Sequence, residues 1–302
     1  MELHLTDVLT YKSCRRKFRY SQILRLEPKD STLALNVGKY GHELLAKHYG
    51  KDIEPECELD SQTKSYVEDL VELYKSETKD DWHKVLLVEQ PITVYNFVEG
   101  IDLTFTIDLL VSKLNKTILI DHKFYERTPN ADIVELNEQL TAYACLANLA
   151  GFKVDGVVLN CIVKKTFKKP QLLSGEKLSK AQSVLDSTTE KLYRSAVEEN
   201  GLDENDYSDV LEMLASRPSG ICARFPTVYK TKRELEVYES QLAKACSEIA
   251  ELVEAGGKNS DFYTNVSMSC SACRYKQLCK YENSLSESEF RKFAEDDYRI
   301  KE

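Results

Sequence analysis

The stretch TILIDHKFY, Thr117–Tyr125, decides the fold. It has the composition of a buried β-strand, yet a carboxylate at Asp121 and an ammonium at Lys123 interrupt it. Alternate residues of a strand share a face, so we expect both charges on the side of Leu119. Burying an unpaired carboxylate costs several kcal/mol, so the sequence predicts an ion, a partner or water beside Asp121.

The strand before it carries a second carboxylate. In LTFTIDLLV, residues 103–111, Asp108 interrupts an apolar run. The link SKLNK, residues 112–116, is short enough for a β-hairpin that lays the two strands side by side. Two carboxylates with Lys123 beside them suit Mg²⁺ or Mn²⁺, which polarises a phosphoryl oxygen and lowers the pKa of bound water. The alternative is a buried Asp–Lys ion pair without chemistry.

Hydrophobic periodicity predicts an α/β chain that alternates helices and strands. We expect helices at about residues 6–21, 32–49, 61–77, 132–150 and 232–256, and strands within 82–96, 100–112, 117–123, 154–165 and 222–230. Residues 171–217 are polar and helical, which indicates a helical insertion into one domain that spans residues 1–302.

The composition is that of an ordinary globular protein, with 42% hydrophobic and 30% charged residues. No apolar run approaches membrane-spanning length, so we expect a cytoplasmic protein, with a viral source among the alternatives. The net charge of −9 disfavours global attraction to nucleic acid but leaves room for local basic patches at residues 12–19 and 164–169. Taken alone, either run is more typical of a solvated face.

Cysteine use points to metal binding or to reactive thiols. Nine cysteines without a secretion signal argue against a disulfide scaffold. Cys270, Cys273 and Cys279 are clustered, and zinc or an iron–sulfur cluster would need a fourth ligand. Spacing alone does not choose among the six others, which are Cys14, Cys57, Cys145, Cys161, Cys222 and Cys246.

Two helical motifs flank the strands. In GKYGHELL, His42 directly follows a glycine that permits close backbone approach. In EQLTAY, Gln139 and Tyr143 are four residues apart on one helical face, where they could donate to a phosphate or support a helix contact. A lone helical histidine is more often structural than a ligand.

The order of these motifs resembles the PD-(D/E)XK nuclease superfamily, and more narrowly its RecB-type branch, over about residues 5–50 and 85–165. The resemblance implies a restriction-endonuclease-like core, a central mixed β-sheet flanked by helices. It also implies that the divalent ions bind to His42, Asp108, Asp121 and the main-chain carbonyl of His122. Lys123 would support the attacking water, and Gln139 and Tyr143 would position the DNA strand. Thr106 stands where the family often has glycine, and the second acid is Asp121 where glutamate is common; neither change removes a ligand.

A subset of RecB-type enzymes, the CRISPR-adaptation nucleases among them, pairs one early cysteine with Cys-x2-Cys-x5-Cys. By this resemblance Cys14, Cys270, Cys273 and Cys279 hold a [4Fe–4S] cluster within a segment at 261–280, which would staple the chain ends. The other five cysteines are then expected to be buried. Basic residues near the cluster would gather into a positive surface on the path of the strand; these are Arg15, Arg16, Lys17, Arg19, Arg274 and Lys276.

The favoured function is a metal-dependent deoxyribonuclease, an exonuclease acting on single strands or DNA ends, in repair, recombination or viral DNA processing. No Walker A motif is present in the sequence, so we expect unwinding to require a partner, either a helicase or a recombination or CRISPR-adaptation protein. The first alternative is a non-catalytic DNA-binding or recombination-partner subunit that retains the fold. The second is a zinc-stabilised interaction module in which the acids are accidental.

Overall fold

A computed structural model describes residues 1–29, 33–78, 82–173, 177–257 and 259–300. The strands are β1 (Glu2–His4), β2 (Leu26–Pro28), β3 (Lys84–Val98), β4 (Ile101–Lys113), β5 (Lys116–Tyr125), β6 (Gly156–Val163), β7 (Leu172–Leu173), β8 (Lys177–Leu178), β9 (Cys222–Arg224) and β10 (Tyr298–Ile300). The helices are α1 (Leu5–Ser13), α2 (Arg15–Phe18), α3 (Leu33–His48), α4 (Ser61–Glu77), α5 (Ala131–Glu135), α6 (Glu138–Leu149), α7 (Gln182–Leu185), α8 (Glu190–Glu199), α9 (Ser208–Ser216), α10 (Lys232–Glu254), α11 (Lys276–Tyr281) and α12 (Glu287–Asp297).

The central sheet is mixed. Its order is β1-β4-β5-β6-β9. Strand β3 pairs with the edge of β4 opposite to the one that β5 occupies. The pairs β1–β4 and β5–β6 are parallel, and β3–β4, β4–β5 and β6–β9 are antiparallel. The parallel β5–β6 pair requires a crossover connection, which α5 and α6 provide.

The β4–β5 hairpin is confirmed. Leu114 and Asn115 form its tip with positive φ angles of 48° and 62°. Two successive left-handed residues give the turn whose twist matches that of the strands. The register pairs Leu109 with Ile120 and Leu110 with Leu119, so the residues of both strands alternate between the two faces in step.

Helices cover both faces of the sheet. On one face α1, α6 and α10 pack in the largest core cluster, with Leu119, Leu146 and Leu242 fully buried. On the other, Leu45 of α3 and Leu70 of α4 pack with apolar residues at the end of β6. Among the described residues, none of the helices has the length and apolar character needed to cross a membrane.

Several predicted elements differ from the structure in their limits. The helix at 61–77 is confirmed as α4, and the one at 32–49 as α3, although Thr32 lies outside the described residues. The first helix breaks at Cys14, whose backbone is extended, and the helix at 132–150 divides into α5 and α6. The second break has a local cause, because the Asn137 side chain accepts hydrogen bonds from the N–H groups of Gln139 and Leu140 and so begins a new helix.

The predicted insertion at 171–217 contains α7, α8 and α9 together with the β7–β8 hairpin. Its apolar residues form a hydrophobic cluster of their own, centred on Tyr193 and Leu211. A cleft of 1220 Å³ separates this segment from α4 and β9. The strand expected at 222–230 is shorter, since β9 ends at Arg224 and Val228 makes only an isolated bridge to Val157.

The two ends of the described chain are held together by a buried charge network. Glu282 accepts hydrogen bonds from the guanidinium groups of Arg16 and Arg19, and Tyr20 donates its hydroxyl to the same carboxylate at 2.6 Å. Alongside it, β2 pairs antiparallel with β10. The expected positive surface is therefore wrong for Arg16, which is buried, and for Arg19, which is neutralised by Glu282.

Breaking this network should destabilise the protein strongly. The Glu282 side chain is only 5% exposed, so Glu282→Ala leaves buried cations without a partner and should lower the free energy of unfolding by about 3–5 kcal/mol. Urea denaturation measures the effect. Glu204→Ala is the matched control, since Glu204 pairs with Arg194 but is 52% exposed. Equal losses in the two variants would contradict a buried network.

Candidate active site

The candidate site lies where β4 and β5 separate. The last pair of the hairpin register joins Leu109 to Ile120, so Asp108 and Asp121 face each other one residue further on. Both carboxylates are buried. Asp108 Oδ2 accepts a hydrogen bond from the main-chain N–H of His122 at 2.8 Å, which ties the two strands together at this point.

Glu89 on β3 extends this row, and sequence reasoning missed it. Its neighbours Val88 and Gln90 pair with Leu109 and Ile107, so Glu89 lies opposite Asp108 on the other side of β4. Its φ of 43° is left-handed, a conformation that costs a residue other than glycine about 1–3 kcal/mol. Lys51 Nζ donates to the Glu89 carbonyl at 2.7 Å and supports this bend. The signal was available, because Glu89 interrupts an apolar strand as Asp108 and Asp121 do.

Helix α3 brings the imidazole of His42 to this row. His42 Nδ1 lies 2.9 Å from Glu89 Oε1 and 3.6 Å from Asp108 Oδ2. His42, Glu89 and Asp108 each offer one ligand atom within 4.8 Å of the others, close enough for one ion. The structure therefore brings His42 and Asp108 together as expected and adds Glu89, while Asp121 lies outside this group of three.

Gly41 explains how α3 comes so close. A Cβ built on Gly41 would lie 2.1–2.8 Å from ring atoms of Phe124 on β5. Only glycine lets the helix backbone rest against that ring, and the next residue, His42, is thereby held over the opening between the strands.

Asp121 pairs with Lys123. Lys123 Nζ donates to Asp121 Oδ1 at 2.7 Å, the contact expected from their i, i+2 spacing. The other oxygen, Asp121 Oδ2, is buried and has no hydrogen-bond partner among the described residues. An orphaned, buried carboxylate oxygen is costly unless a cation or water meets it.

Burial and mutual repulsion shift the pKa values of this group. Burial raises the pKa of Asp108 to about 7, and repulsion from Asp121 adds to the effect. Burial likewise raises the pKa of Asp121, although Lys123 opposes it. Burial works against the charged form of Lys123, but attraction to Asp121 and Asp108 outweighs it and raises its pKa, so the side chain remains an ammonium. For His42, too, burial lowers the pKa, but the hydrogen bond to Glu89 and the charges of Asp108 and Glu89 together outweigh it, so the pKa is raised.

The His122 side chain points away from the carboxylates into a cage of aromatic rings. The ring of Tyr49 stacks on it with centroids 5.8 Å apart, and Tyr74 meets it edge-on at 6.1 Å. Asn160 Nδ2 donates to His122 Nδ1 at 2.8 Å. Burial holds the pKa of His122 well below its usual value, so the ring is neutral. These contacts fix the main-chain segment whose N–H binds Asp108.

Gln139 and Tyr143 lie on α6, beside the carboxylates. Gln139 Nε2 donates to the Tyr143 hydroxyl at 2.9 Å, so the two side chains meet as their spacing predicted. Burial, reinforced by repulsion from Asp121 and Asp108, raises the pKa of Tyr143, which keeps it a neutral phenol.

The cysteines do not form a compact metal-binding group. Among the described residues, no three sulfurs lie within 4.8 Å of one another. Burial raises the pKa of Cys279, and the thiols of Cys14, Cys273 and Cys270 contribute to the rise, so these three thiols lie in the neighbourhood of Cys279. Of the other five, Cys145, Cys161 and Cys246 are buried as expected, whereas Cys57 and Cys222 are only half-buried.

Comparison with known families agrees with this architecture. The model of the PD-(D/E)XK nuclease superfamily matches residues 5–280, so the chain belongs to that superfamily. Its mixed sheet flanked by helices is accordingly a restriction-endonuclease-like core, as the sequence predicted.

Individual proteins are more distant. A search of curated proteins gives no match. Among solved structures, SSO0001 is 11% identical, with a TM-score of 0.39 over 92% of this chain and 85% of that one. A protein described as a candidate exonuclease from Eubacterium rectale is also 11% identical, with a TM-score of 0.36 over 70% of this chain and 82% of that one. At these TM-scores neither likeness supports an inference about function.

Two glycines of α3 provide a test of the helix–strand contact. Gly41→Ala should force Phe124 or α3 to shift and lower the free energy of unfolding by about 1–3 kcal/mol. A Cβ on Gly38 meets nothing within 4 Å, so Gly38→Ala should be neutral or stabilise by up to about 1 kcal/mol. Urea denaturation compares the two, and a Gly41→Ala protein as stable as Gly38→Ala would refute the close approach.

Proposed function

We propose that the protein is a metal-dependent deoxyribonuclease of the RecB-type branch, acting as an exonuclease on single strands or DNA ends. The observation that carries the proposal is the row of Glu89, Asp108 and Asp121 across three adjacent strands, with His42 and Lys123 beside it. A structural ion pair alone would not need two buried carboxylates, a third that is half-buried and one ammonium in a single row.

The donor set suits Mg²⁺ or Mn²⁺. Carboxylate oxygens and one imidazole are ligands that these ions accept, and the unpartnered Asp121 Oδ2 supports a cation at this position. We assign the ligands as His42, Asp108, Asp121 and the main-chain carbonyl of His122, and we add Glu89. When bound, the ion would polarise the phosphodiester and lower the pKa of the attacking water.

The protein's own groups have separate tasks. Lys123, held as an ammonium by Asp121, can donate hydrogen bonds to the water and to a phosphate oxygen but cannot remove a proton. Gln139 orients the Tyr143 hydroxyl, and the pair offers amide and phenol donors to the DNA backbone beside the scissile bond. The cage around His122 holds Asp108 through a main-chain N–H, which keeps the ligands pre-positioned.

Activity should depend on the row and not on carboxylates in general. Asp108→Asn, Asp121→Asn and Lys123→Ala should each lower kcat on end-labelled DNA with Mg²⁺ or Mn²⁺ by at least about 10²-fold. Asp102→Asn is the control, because Asp102 lies on the same strand but outside the row, where its carboxylate accepts the main-chain N–H of Asn96.

Sizing the labelled products over time separates terminal from internal cleavage. Full activity of Asp108→Asn or Lys123→Ala would overturn the assigned roles. Tight DNA binding by the unmodified protein, with no cleavage under any divalent ion, would favour the non-catalytic subunit instead.

The raised pKa of Asp108 predicts a coupling between pH and metal binding. Folded, metal-free protein keeps a proton on Asp108 up to about pH 7, whereas the unfolded chain releases it near pH 3.8. The folded state is therefore favoured by this group at low pH, and the contribution is lost as the pH rises through about 7.

Because a cation competes with that proton, Mg²⁺ should raise the melting temperature more at about pH 8 than at about pH 6. Differential scanning fluorimetry with and without Mg²⁺ measures this. In Asp108→Asn the Mg²⁺-induced melting shift should differ less between the two pH values. The stability of the metal-free protein should also fall less as the pH rises. A melting shift equal at both pH values would contradict the coupling.

We also propose that Cys14, Cys270, Cys273 and Cys279 hold a [4Fe–4S] cluster. Each thiolate of such a cluster binds a different iron, so the sulfurs lie further apart than around one tetrahedral zinc ion. The proposal is supported by the neighbourhood of Cys14, Cys273 and Cys270 around Cys279, and by the Ser267 main-chain N–H, which donates to Cys270 Sγ at 3.4 Å. When bound, the cluster would supply a structural link between the chain ends.

Anaerobically purified protein should be brown, with absorption near ~400 nm and bound iron and sulfide. Cys279→Ser should lose this absorption, whereas Cys57→Ser, which changes a half-buried cysteine outside the proposed set, should keep it. Colourless protein that contains zinc would refute the cluster.

A further inference from the structure

A cleft of 380 Å³ lies between the end of α1 and the middle of α10. The charged residues of its lining are Lys12, Arg15, Lys244 and Glu248. Lys12 is paired with Glu138 and Arg15 with Glu248, so Lys244 is the cation of this lining without an ion pair among the described residues. A cation in this position can contact a phosphate locally, although the net charge of the chain is −9.

One wall of the cleft is an aromatic platform. The guanidinium carbon of Arg15 lies 4.6 Å from the ring centroid of Tyr11 and 4.9 Å from that of Tyr263. Glu248 fixes this arrangement by accepting hydrogen bonds from Arg15 at 2.6 Å and from the Tyr11 hydroxyl at 3.1 Å. Tyr11 is buried, whereas Tyr263 is 56% exposed, so Tyr263 presents ring surface to solvent while Arg15 supports it.

The platform is held rigidly. The main-chain N–H of Arg16 donates to the Tyr263 carbonyl at 3.1 Å, and Asn265 Nδ2 donates to the Ser13 carbonyl at 3.0 Å. An exposed aromatic ring on an anchored backbone loses little conformational entropy when a ligand stacks on it.

The cleft is linked to the candidate active site through the N-terminal end of α6. Lys12 at its edge forms an ion pair with Glu138, whose neighbour in sequence is Gln139. Tyr238, one turn before Gln241 on α10, also donates to Glu138, at 3.2 Å. Lys12 therefore connects the lining of the cleft to the helix that carries Gln139 and Tyr143.

We propose that this cleft is a subsite for single-stranded DNA, in which an unpaired base stacks on Tyr263 and Lys244 contacts a phosphate. The inference rests on the proposed function and adds the position at which the strand is held away from the scissile bond. An unpaired strand is the form that fits, because a base within a duplex has no free face to offer the ring.

The test uses single strands from about 2 to about 20 nucleotides long, with the full-length protein. Tyr263→Ala should raise KM roughly tenfold or more on long strands, leave kcat unchanged, and have no effect on strands too short to reach the cleft. Tyr263→Phe should behave like the unchanged protein, because the ring remains. Lys244→Ala should give the same length dependence and a weaker dependence of KM on salt.

Tyr229→Ala is the matched control. Tyr229 is also 56% exposed and also contacts a cation, Lys116, at 4.7 Å, but it lies outside the lining of this cleft. It should leave KM unchanged at every length.

The outcomes separate this inference from the proposed function. A Tyr263→Ala effect that is absent, or equal at all lengths, would overturn the subsite while leaving the nuclease intact. If the unchanged protein binds DNA without cutting it, the nuclease proposal fails, and fluorescence anisotropy with the same length series decides the subsite. If it binds no single-stranded DNA, both proposals are wrong.

Discussion

The repulsion among three carboxylates in one row is the constraint on which the site depends. Glu89, Asp108 and Asp121 occupy facing positions on β3, β4 and β5, where like charges destabilise a sheet. Three contacts offset part of this repulsion: the Lys123 ammonium, the His42 imidazole and the main-chain N–H of His122. Even so, one oxygen of Asp121 has no partner within the described part of the chain. The three carboxylates thus create a local negative potential, and a bound cation would relieve their repulsion.

Much of this arrangement follows from local rules of sequence. Alternation within LTFTIDLLV and TILIDHKFY, together with a short hairpin link, is enough to place Asp108 opposite Asp121. The i, i+4 spacing of Gln139 and Tyr143 likewise fixes their contact, because one turn of helix leaves no other geometry.

What sequence reasoning missed depends on contacts between distant residues. The contact between Glu89 and His42 depends on the left-handed backbone of Glu89 within β3. Lys51, which lies in another segment, stabilises that backbone. Arg16 was expected on the surface, but it pairs with Glu282, 266 residues away. No local sequence pattern predicts a pair at that separation. The break of the first helix at Cys14 is a further example. The residues after it contact the C-terminal segment, where the Arg16 main-chain N–H donates to the Tyr263 carbonyl.

The pairing of β2 with β10, and of Arg16 and Arg19 with Glu282, has a consequence for folding during translation. Strands β3 to β6 are contiguous in sequence and include Glu89, Asp108 and Asp121, so a nascent chain can complete this part of the sheet soon after residue 163 leaves the ribosome. Strand β2 and the cationic turn of Arg16 and Arg19 must wait for Glu282 and for β10, at residues 298–300. During translation Glu89, Asp108 and Asp121 are therefore all available before the partners of β2, Arg16 and Arg19 have been made.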